Sequence, residues 1–403
     1  MPKTCHVALI GSKFMGRTHS NAYAQVGKFF DLPLDVSMHT IAARDEQDLK
    51  QFAPRWGWSN YTTRWQDVCE NPEIDLIDVG TPNHLHRDMA IAALEAGKHV
   101  ACEKPLAGTL DEAREMLQAA KKASKTKAKS KTFVWYNYRR VPAITLAHQL
   151  VNEGRLGRIY HVRAVYRQDW GGPDTPLLWR FQGDKAGSGS HGDLGAHIID
   201  MVRFVTGEKF TEVTGAIEET FIKKREILGS DAGGEISGRG AKKGGKKKYG
   251  KSTVDDAVAF LARLSGGAVC TFESTRLSTG HKNAHGFEIH GEHGAVGFNF
   301  ERMSELEWYD ATLPEKLQGW STINVSNGDA NHPYAHAWWP TAHPIGYEHG
   351  FINQAADMFA VLGNKKPLTP VPDFADAYET QKVLHAVIES ARNRGPVKLS
   401  EIK

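Results

Sequence analysis

The segment HVALIGSKFMGR at residues 6–17 places an apolar run directly before a glycine-containing turn and the start of a helical pattern. Residues 6–10 predict a buried strand, and Gly11 and Gly16 occupy the first and third glycine positions of the G-x-G-x-x-G motif. Glycines at these positions permit a tight turn and bring backbone N–H groups and a helix N-terminus to a pyrophosphate. Because Lys13 replaces the second glycine, this segment alone leaves open both a dinucleotide site and an ordinary strand–turn–helix.

Beyond this turn, short apolar runs alternate with helical patterns as far as residue 135. The runs predict strands at residues 36–43, 76–79, 99–102 and 132–135, and the patterns predict helices at residues 84–96 and 109–122. The second helix opens with Thr109 and Glu112, which have the spacing of a capping box. Since this alternation is typical of a parallel sheet covered by helices, we expect a dinucleotide-binding Rossmann domain at residues 1–132.

After residue 132 the predicted strands follow one another without regular helical crossovers, at residues 159–166, 258–264, 268–274 and 287–290. This order is typical of a second α/β domain with an open, mostly antiparallel or mixed sheet, and we assign it residues 133–403. Its helices are predicted at residues 194–205, 347–362 and 376–392. Residues 223–252 are rich in glycine and lysine, so they predict a mobile basic loop that buries little apolar area.

Length and composition are those of a two-domain globular protein. The chain has 403 residues, and its net charge of +3 owes much to the lysine cluster at residues 242–248. This charge does not favour a nucleic-acid partner, and no apolar run reaches the roughly 20 residues that a membrane span needs. The 4 cysteines are scattered without a C-x-x-C pair, and the first strand begins too early to leave room for a signal peptide. We therefore expect a cytoplasmic protein with reduced thiols.

Two charged residues, Arg44 and Asp45, follow the second predicted strand. In dinucleotide-binding folds this position contacts the adenosine ribose, where an acidic side chain favours the free 2′-hydroxyl of NAD and an arginine accepts the 2′-phosphate of NADP. Asp45 can instead cap the following helix, and Arg44 can stack on adenine. The choice between NAD and NADP is therefore open at this point.

The strand predicted at residues 99–102 is followed by Glu103-Lys104-Pro105, at the edge where open parallel sheets bind ligands. A lysine beside a nicotinamide is suited to proton transfer. A surface ion pair between Glu103 and Lys104 is the structural alternative.

A second polar group is predicted on one helix face, because Asp193, His197 and Asp200 are spaced i, i+4 and i+7. Interconversion of an alcohol and a carbonyl needs one group that takes or gives the hydroxyl proton and others that orient the carbon. His197 with a carboxylate on its own helix suits this chemistry, helped by Lys104. The alternative is structural, with Asp193 as a helix cap and His197 as a core side chain.

Aromatic and hydrogen-bonding side chains precede this helix, namely Gln168, Trp170, Trp179 and Arg180. Indole faces suit the C–H faces of sugar rings, and Arg and Gln suit their hydroxyls. Core packing accounts for most single tryptophans. Two of them beside polar groups, just before the glycine-rich residues 187–189, favour a carbohydrate pocket.

The sequence resembles the glucose–fructose oxidoreductase, inositol dehydrogenase and MocA (Gfo/Idh/MocA) family over nearly its whole length. The matching motifs are the turn at residues 11–16, Thr81-Pro82-Asn83 with His86, Glu103-Lys104-Pro105, Asn137-Tyr138-Arg139, and Gly192-Asp193 with His197. The resemblance implies a Rossmann domain and an α/β domain whose outer sheet face forms homodimers or homotetramers. It also implies NAD(P)-dependent hydride transfer to or from a ring CH–OH of a sugar, anhydro-sugar or polyol.

The resemblance assigns roles to individual residues. It implies that Lys104, Asp193 and His197 are catalytic, with Asp193 orienting the substrate and either Lys104 or His197 moving the proton. Cofactor contacts are expected from Gly11, Phe14, Met15, Gly16, Arg44, Thr81, Asn83, His86, Glu103 and Lys104. Substrate contacts are expected from Tyr138, Arg139, Gln168, Trp170, Trp179 and Arg180. Within the family, residues 168–170 and 338–340 are similar to the levoglucosan dehydrogenases, which implies oxidation at C3 of an anhydro-sugar with NAD.

Three other interpretations compete with a sugar dehydrogenase. The same site could oxidise a glycoside at C3 transiently and then eliminate or hydrate it, giving an NAD-dependent lyase or glycosidase. A non-catalytic regulator that senses NAD or sugar is the second alternative, although intact Lys104, Asp193 and His197 speak against it. A metal enzyme is the third, because histidines lie at residues 332, 336, 343 and 349, but their spacing does not match a helix-borne zinc site. We therefore expect no metal.

Overall fold

The computed structural model describes residues 3–228, 247–327 and 333–402. These form two units, the first with residues 3–140 and 346–378 and the second with residues 141–228, 247–327, 333–345 and 379–402. The expected division after residue 132 is placed differently, because residues 133–140 and 346–378 belong to the first unit. Buried amides tie these two segments together: Gln354 Nε2 donates to the carbonyl of Val134 at 2.7 Å, and Asn353 Nδ2 donates to that of Arg140 at 3.0 Å.

Strands and helices alternate along residues 3–134. The elements are β1 (Lys3–Ile10), α1 (Phe14–Phe29), β2 (Leu34–Ala42), α2 (Glu46–Trp56), β3 (Asn60–Thr62), α3 (Gln66–Glu70), β4 (Leu76–Val79), α4 (His86–Glu95), β5 (His99–Cys102), α5 (Leu110–Ala123) and β6 (Thr132–Val134). The predicted capping box is confirmed at the start of α5, where the Thr109 side chain accepts from the Glu112 N–H and the Glu112 side chain from the Thr109 N–H.

The six strands form one parallel sheet in the order β3-β2-β1-β4-β5-β6. β4 is buried at every residue, as in parallel sheets that helices cover on both faces. The strand order reverses between β1 and β4, and ligands bind at such a switch point, outside the carboxyl ends of the strands. The predicted Rossmann sheet is confirmed, and its switch point adjoins Gly11.

Further helices and strands follow along the rest of the chain. In the described residues they are α6 (Pro142–Asn152), β7 (Ile159–Arg167), α7 (Gly183–Ala186), α8 (Ala196–Thr206), β8 (Phe210–Glu219), β9 (Lys224–Ile227), β10 (Lys248–Lys251), β11 (Ala257–Leu264), β12 (Val269–Thr275), β13 (Ala284–Gly291), β14 (Gly294–Asn299), β15 (Glu305–Asp310) and β16 (Trp320–Asn324). Then follow α9 (Tyr347–Leu362), α10 (Phe374–Asn393) and β17 (Val397–Lys398). The predicted helix at residues 347–362 is confirmed as α9, which packs on α1 in the first unit.

Nine strands of the second unit form a mixed sheet in the order β16-β15-β14-β13-β7-β12-β11-β8-β17. β7 and β12 run parallel, and the neighbouring pair β13 and β7 is antiparallel. α8 packs against β7 and β13. Residues along β11 alternate between buried and exposed, so one face of the sheet covers a core and the other faces outward. The predicted open mixed sheet is confirmed.

The prediction of a mobile loop over residues 223–252 is wrong at both ends, where β9 and β10 pair antiparallel. Arg225 on β9 is buried, and its guanidinium donates to the carbonyls of Gly171 and Gly172 at 2.9 and 3.0 Å and to Asp256 Oδ1 at 3.0 Å. Four-residue strands among lysines and glycines leave too short a pattern to recognise. Residues 229–246, with most of the lysine cluster, lie outside the described residues.

Among the described residues, no helix combines the length and the apolar character that crossing a membrane requires. All four cysteines are buried and free of disulfide bonds, as the sequence predicts.

Candidate functional site

The glycine turn after β1 is built so closely that side chains cannot replace its glycines. A Cβ added to Gly16 would lie 2.1 Å from the Gly11 carbonyl oxygen, and one added to Gly11 would lie 2.5 Å from that of Gly80. Gly11 also has a φ of +122°, which L side chains rarely adopt. The turn therefore brings the ends of β1 and β4 together and leads into the N-terminus of α1, whose first turn has no acidic residue. This arrangement fits an anionic pyrophosphate.

Lys13, at the second glycine position, points its ammonium toward α2, where it lies 3.1 Å from Asp48 Oδ2. Ser12 Oγ donates to the same oxygen at 2.6 Å. Asp45 caps α2 by accepting from the Asp48 backbone N–H, so the capping alternative for Asp45 is confirmed. Arg44 is exposed directly after β2.

Phe14 and Tyr138 both contact one aromatic side chain in the first unit. Tyr347, at the start of α9, stacks on Phe14 with ring centroids 6.3 Å apart and lies 6.4 Å from the ring of Tyr138. Met15 follows Phe14 on α1 and is half-buried. Arg139 is buried and forms an ion pair with Asp376, so its guanidinium is engaged within this unit.

The loops after β4 and β5 are held together by His86. Its Nε2 lies 2.9 Å from the Thr81 carbonyl oxygen, and its Nδ1 lies 3.1 Å from that of Pro105. Burial lowers the pKa of His86, and a neutral ring donates its single N–H to one of these carbonyls only. Asn83 is buried in the 3-10 turn that directly precedes α4, and Lys104 is half-buried after β5. His86 therefore acts on the loop geometry around Lys104.

Glu103 takes part in a buried network that no local pattern in the sequence indicates. His19 on α1 lies between two carboxylates, with Nδ1 2.9 Å from Asp78 Oδ2 and Nε2 3.0 Å from Glu103 Oε1. Asp78 also accepts from the Tyr23 hydroxyl at 2.7 Å and from the Trp135 indole at 2.9 Å. Burial acts to lower the pKa of His19, but the charges and hydrogen bonds of Asp78 and Glu103 outweigh it and raise the pKa from 6.5 to about 9.

In the second unit, Asp193 lies outside the regular helix that the sequence predicts. Residues 191–195 form a π-helical turn, and α8 begins only at Ala196. The buried Asp255 carboxylate starts this turn by accepting from the N–H groups of Gly189 and His191 at 2.6 and 2.8 Å. A Cβ added to Gly189 would lie 1.8 Å from the Asp255 carbonyl oxygen. A helical periodicity in the sequence does not indicate this close approach between the backbones of Gly189 and Asp255.

His197 and Asp200 lie on α8 as predicted, and both are buried. The His197 ring packs near Tyr166 and His285, with centroids 6.0 and 6.3 Å away. Burial lowers the pKa of His285 to about 3, so this second histidine is neutral. Asp200 is only 2% exposed, because the packing of α8 covers it.

Gln168 and Trp170 belong to a hydrogen-bonded chain. The Trp170 indole N–H donates to Gln168 Oε1, and Gln168 Nε2 donates to Asn283 Oδ1 at 2.6 Å. Asn283 Oδ1 also accepts from the Tyr166 hydroxyl at 2.8 Å. Since the Tyr166 ring adjoins His197, Asn283 connects two predicted substrate residues with a predicted catalytic one, and the sequence analysis missed it.

Trp179 and Arg180 adjoin each other, with the Arg180 guanidinium 4.5 Å from the Trp179 ring centroid. The Asp193 carboxylate accepts from a further arginine, Arg276, at 2.9 Å. The Arg276 guanidinium also donates to the Arg180 carbonyl at 3.1 Å and lies 5.1 Å from the Trp170 ring centroid. Lys104 belongs to the first unit, whereas Asp193 and His197 belong to the second.

The histidine-rich segment has no metal-site geometry in the described part of the chain, where no group of three or more His, Cys, Asp or Glu side chains is placed to hold a metal ion. His349 instead accepts from the Gly346 N–H at 2.9 Å. His332 lies outside the described residues.

Two family models match the chain. Residues 5–129 match the oxidoreductase family with an NAD-binding Rossmann fold, and residues 144–297 match the GFO/IDH/MocA C-terminal domain. Levoglucosan dehydrogenase of Pseudarthrobacter phenanthrenivorans is 40% identical over 402 residues, which cover 98% of this chain and 98% of that enzyme.

Solved structures are similar over the same extent. An oxidoreductase domain protein from Kribbella flavida is 42% identical with a TM-score of 0.89, covering 99% of this chain and 100% of that one. A levoglucosan dehydrogenase in complex with NADH and levoglucosan is 37% identical with a TM-score of 0.89, again covering 99% of this chain and 100% of that one.

Proposed function

Because the chain belongs to the GFO/IDH/MocA oxidoreductase family, we propose that it is an NAD-dependent sugar dehydrogenase that oxidises the C3 hydroxyl of an anhydro-sugar such as levoglucosan. One observation supports this most directly. Gly11, Thr81 and Glu103 follow the neighbouring strands β1, β4 and β5, so the glycine turn and Lys104 share the carboxyl edge at which such sheets bind ligands.

The first unit fits the cofactor. Gly11 and Gly16 leave the space that a pyrophosphate needs at the N-terminus of α1, and Phe14, Met15, Arg44, Thr81, Asn83, His86, Glu103 and Lys104 are the further residues that we propose to contact it. When bound, NAD supplies the hydride acceptor. His86 and His19 support the loop that carries Glu103 and Lys104. His86 contacts the carbonyl of Pro105, His19 contacts the carboxylate of Glu103, and both contacts are buried.

The second unit supplies the sugar contacts. Gln168, Trp170, Trp179 and Arg180 offer indole faces and hydrogen-bonding groups for a sugar ring, and Asp193 orients its hydroxyls. Tyr138 and Arg139 of the first unit complete the proposed set. The proton of the reacting hydroxyl passes to Lys104 or His197, and substitution of each decides between them.

We assign cofactor binding to residues 1–132, and sugar binding and self-association to residues 133–403. The outward face of the mixed sheet exposes large apolar side chains, among them Ile217, Leu261 and Val269, which supports a homodimer or homotetramer. Buried free thiols support a cytoplasmic location. Light scattering coupled to size-exclusion chromatography tests the self-association, and a single monomer peak at micromolar concentration contradicts it.

The activity is tested with purified protein, NAD or NADP, and a panel of anhydro-sugars, sugars, polyols and glycosides. Absorbance of the reduced nicotinamide and chromatography of the products are followed together. We expect NADH to form with levoglucosan in step with a keto product. Sugar conversion without net NADH would contradict the proposal in favour of transient oxidation, and cofactor binding without turnover would favour a regulator.

Two substitutions with matched controls locate the proton transfer. We expect Lys104→Ala and His197→Ala to lower kcat by about 10²–10⁴-fold for the group that moves the proton, and less for the other. Lys50→Ala, on the surface of α2, and His385→Ala, on the surface of α10, are the lysine and histidine controls. Equal activity of Lys104→Ala and Lys50→Ala would remove Lys104 from the mechanism.

A further inference from the structure

The guanidinium of Arg276, which directly follows β12, meets four separate parts of the second unit. Its Nη2 donates to Asp193 Oδ2 and to the Gly189 carbonyl, both at 2.9 Å, and its Nη1 donates to the Arg180 carbonyl at 3.1 Å. The same group lies 5.1 Å from the ring centroid of Trp170. The Arg276 guanidinium therefore contacts three of the residues expected to contact the sugar, namely Asp193, Arg180 and Trp170.

Burial makes this arrangement rigid. The Arg276 side chain is 1% exposed, whereas that of Asp193 is 25% exposed, so the cation is covered and part of the carboxylate reaches the surface of the unit. The backbone of Arg276 is held as well, because its N–H donates to the Asp256 carbonyl and its own carbonyl accepts from the Gly171 N–H, both at 3.0 Å. A side chain fixed at both ends transmits its position to its partners.

We propose that Arg276 is a positioning residue of the sugar site, which acts by fixing the Asp193 carboxylate, the Arg180 backbone and the Trp170 ring in one mutual arrangement. The inference rests on the proposed function, since it concerns how those residues receive a sugar. Arg276 itself is buried behind them and acts through them.

Arginine suits this role for a geometric reason. Its planar guanidinium offers donors in a fixed fork and can face an aromatic ring at the same time, whereas a lysine offers a compact ammonium. An Arg276→Lys variant keeps the positive charge but cannot reach two carbonyls, a carboxylate and a ring together. Charge and geometry are thereby separated in one substitution.

Arg225 provides the matched control. It is buried like Arg276 and lies 3.6 Å from the Phe181 ring centroid, to which Arg276 is also near at 5.5 Å. Its carboxylate partner, however, is Asp256. An Arg225→Lys variant therefore removes a buried guanidinium from the same region, but one whose carboxylate partner is Asp256 and not Asp193.

The first measurement is steady-state kinetics of the two variants. We expect Arg276→Lys to lower kcat/KM for the sugar by about 10-fold to 100-fold, because small displacements of orienting groups have effects of that size. The dissociation constant of NADH should stay within a factor of about two, because neither Arg276 nor the side chains that it holds are among the proposed cofactor contacts.

A double-mutant cycle shows whether the effect passes through Asp193. In an Asp193→Asn background, Arg276→Lys should cost much less than in the native background, whereas the cost of Arg225→Lys should be unchanged. Multiplicative effects of Arg276→Lys and Asp193→Asn would overturn the proposal, because a general loss of folding gives that result.

Hydrogen exchange of the unliganded protein tests the positioning without turnover. The Asp193 N–H donates to the Gly189 carbonyl at 3.1 Å, which Arg276 also holds, so we expect faster exchange at residues 189–193 in Arg276→Lys and at residues 171–175 in Arg225→Lys. Unchanged exchange at residues 189–193 would overturn the inference. Native protein that forms no NADH with any sugar would instead overturn the proposed function, and the exchange result would still decide the role of Arg276.

Discussion

Replacing His19 with leucine removes the cation from between two buried carboxylates. In the native protein the imidazole contacts Asp78 at 2.9 Å and Glu103 at 3.0 Å, and its ring stacks on Trp135 with centroids 4.3 Å apart. Leucine is a side chain of comparable size but has no N–H group and no charge. Asp78 keeps its bonds from Tyr23 and Trp135, whereas Glu103 loses a charge-assisted hydrogen bond at the residue next to Lys104.

The size of the effect follows from the burial. Removing one partner of a buried ion pair costs about 3–5 kcal/mol, because the other charge is left uncompensated. The pKa of His19 gives an independent figure, since a rise from 6.5 to about 9 corresponds to about 3 kcal/mol of differential stabilisation. For a folding unit of some 150–250 residues, such a loss lowers Tm by roughly 6–20 °C.

The sign of the pH dependence is fixed by the direction of the pKa shift. The folded protein keeps the His19 proton up to about pH 9, whereas the unfolded chain loses it near pH 6.5. The stabilisation is therefore complete below pH 6.5 and is lost as the pH rises through 9. In His19→Leu this contribution is absent, so the gap between native and variant Tm should be wide at low pH and narrow as the pH rises.

Thermal melts followed by circular dichroism in a series of buffers from pH 6 to about pH 10 measure this gap. His385→Ala is the control, because His385 is a partly exposed histidine paired with Glu389 on α10. A gap between native protein and His19→Leu that stays constant across the series would refute the reasoning, since it would mean that His19 is held by packing and not by its charge.

Three further predictions concern the glycine turn, the helix cap and Lys104, the proposed catalytic lysine. Gly16→Ala should abolish detectable NADH binding by fluorescence, because its Cβ would meet the Gly11 carbonyl at 2.1 Å, whereas Gly27→Ala on the same helix, with its nearest atom at 3.9 Å, should bind normally. Thr109→Ala removes the capping box of α5 and should cost about 1 kcal/mol, seen as a modest fall in Tm with unchanged kcat. Lys104→Ala should lower kcat and weaken NADH binding, because Lys104 is proposed both as a candidate for the proton transfer and as a cofactor contact, and unchanged NADH binding would remove it from the cofactor contacts.

The features that could be predicted from the sequence are those whose signal is local. The alternation of strands and helices predicted the Rossmann sheet, and Thr109 and Glu112 lie three residues apart, so their capping box is visible as a spacing. The glycines of the first turn are likewise recognisable, because a backbone conformation that excludes side chains restricts the residue type. In each case the cause and the signal lie within one turn or one element.

The partners of the candidate site residues could not be predicted in this way. His19 meets Asp78 and Glu103 across 59 and 84 residues of sequence, and Arg276 meets Asp193 across 83. Hydrophobic periodicity predicts which face of a helix or strand is buried, but not which other element packs on that face. The π-helical turn at Asp193 was missed for a related reason, since the Asp255 backbone and carboxylate shape it from a distant part of the chain.

His19 and Arg276 are present for the same physical reason, and that reason connects both of them to the proposed function. A carboxylate at the edge of a core is costly to bury unless an opposite charge compensates it, and the chain meets this requirement for Glu103 with His19 and for Asp193 with Arg276. Each cation is more deeply buried than a sugar contact needs to be, and each belongs to a different element from the carboxylate that it holds. Substitutions of His19 and Arg276 are therefore expected to disturb the proposed site, although neither cation is assigned a contact with the substrate.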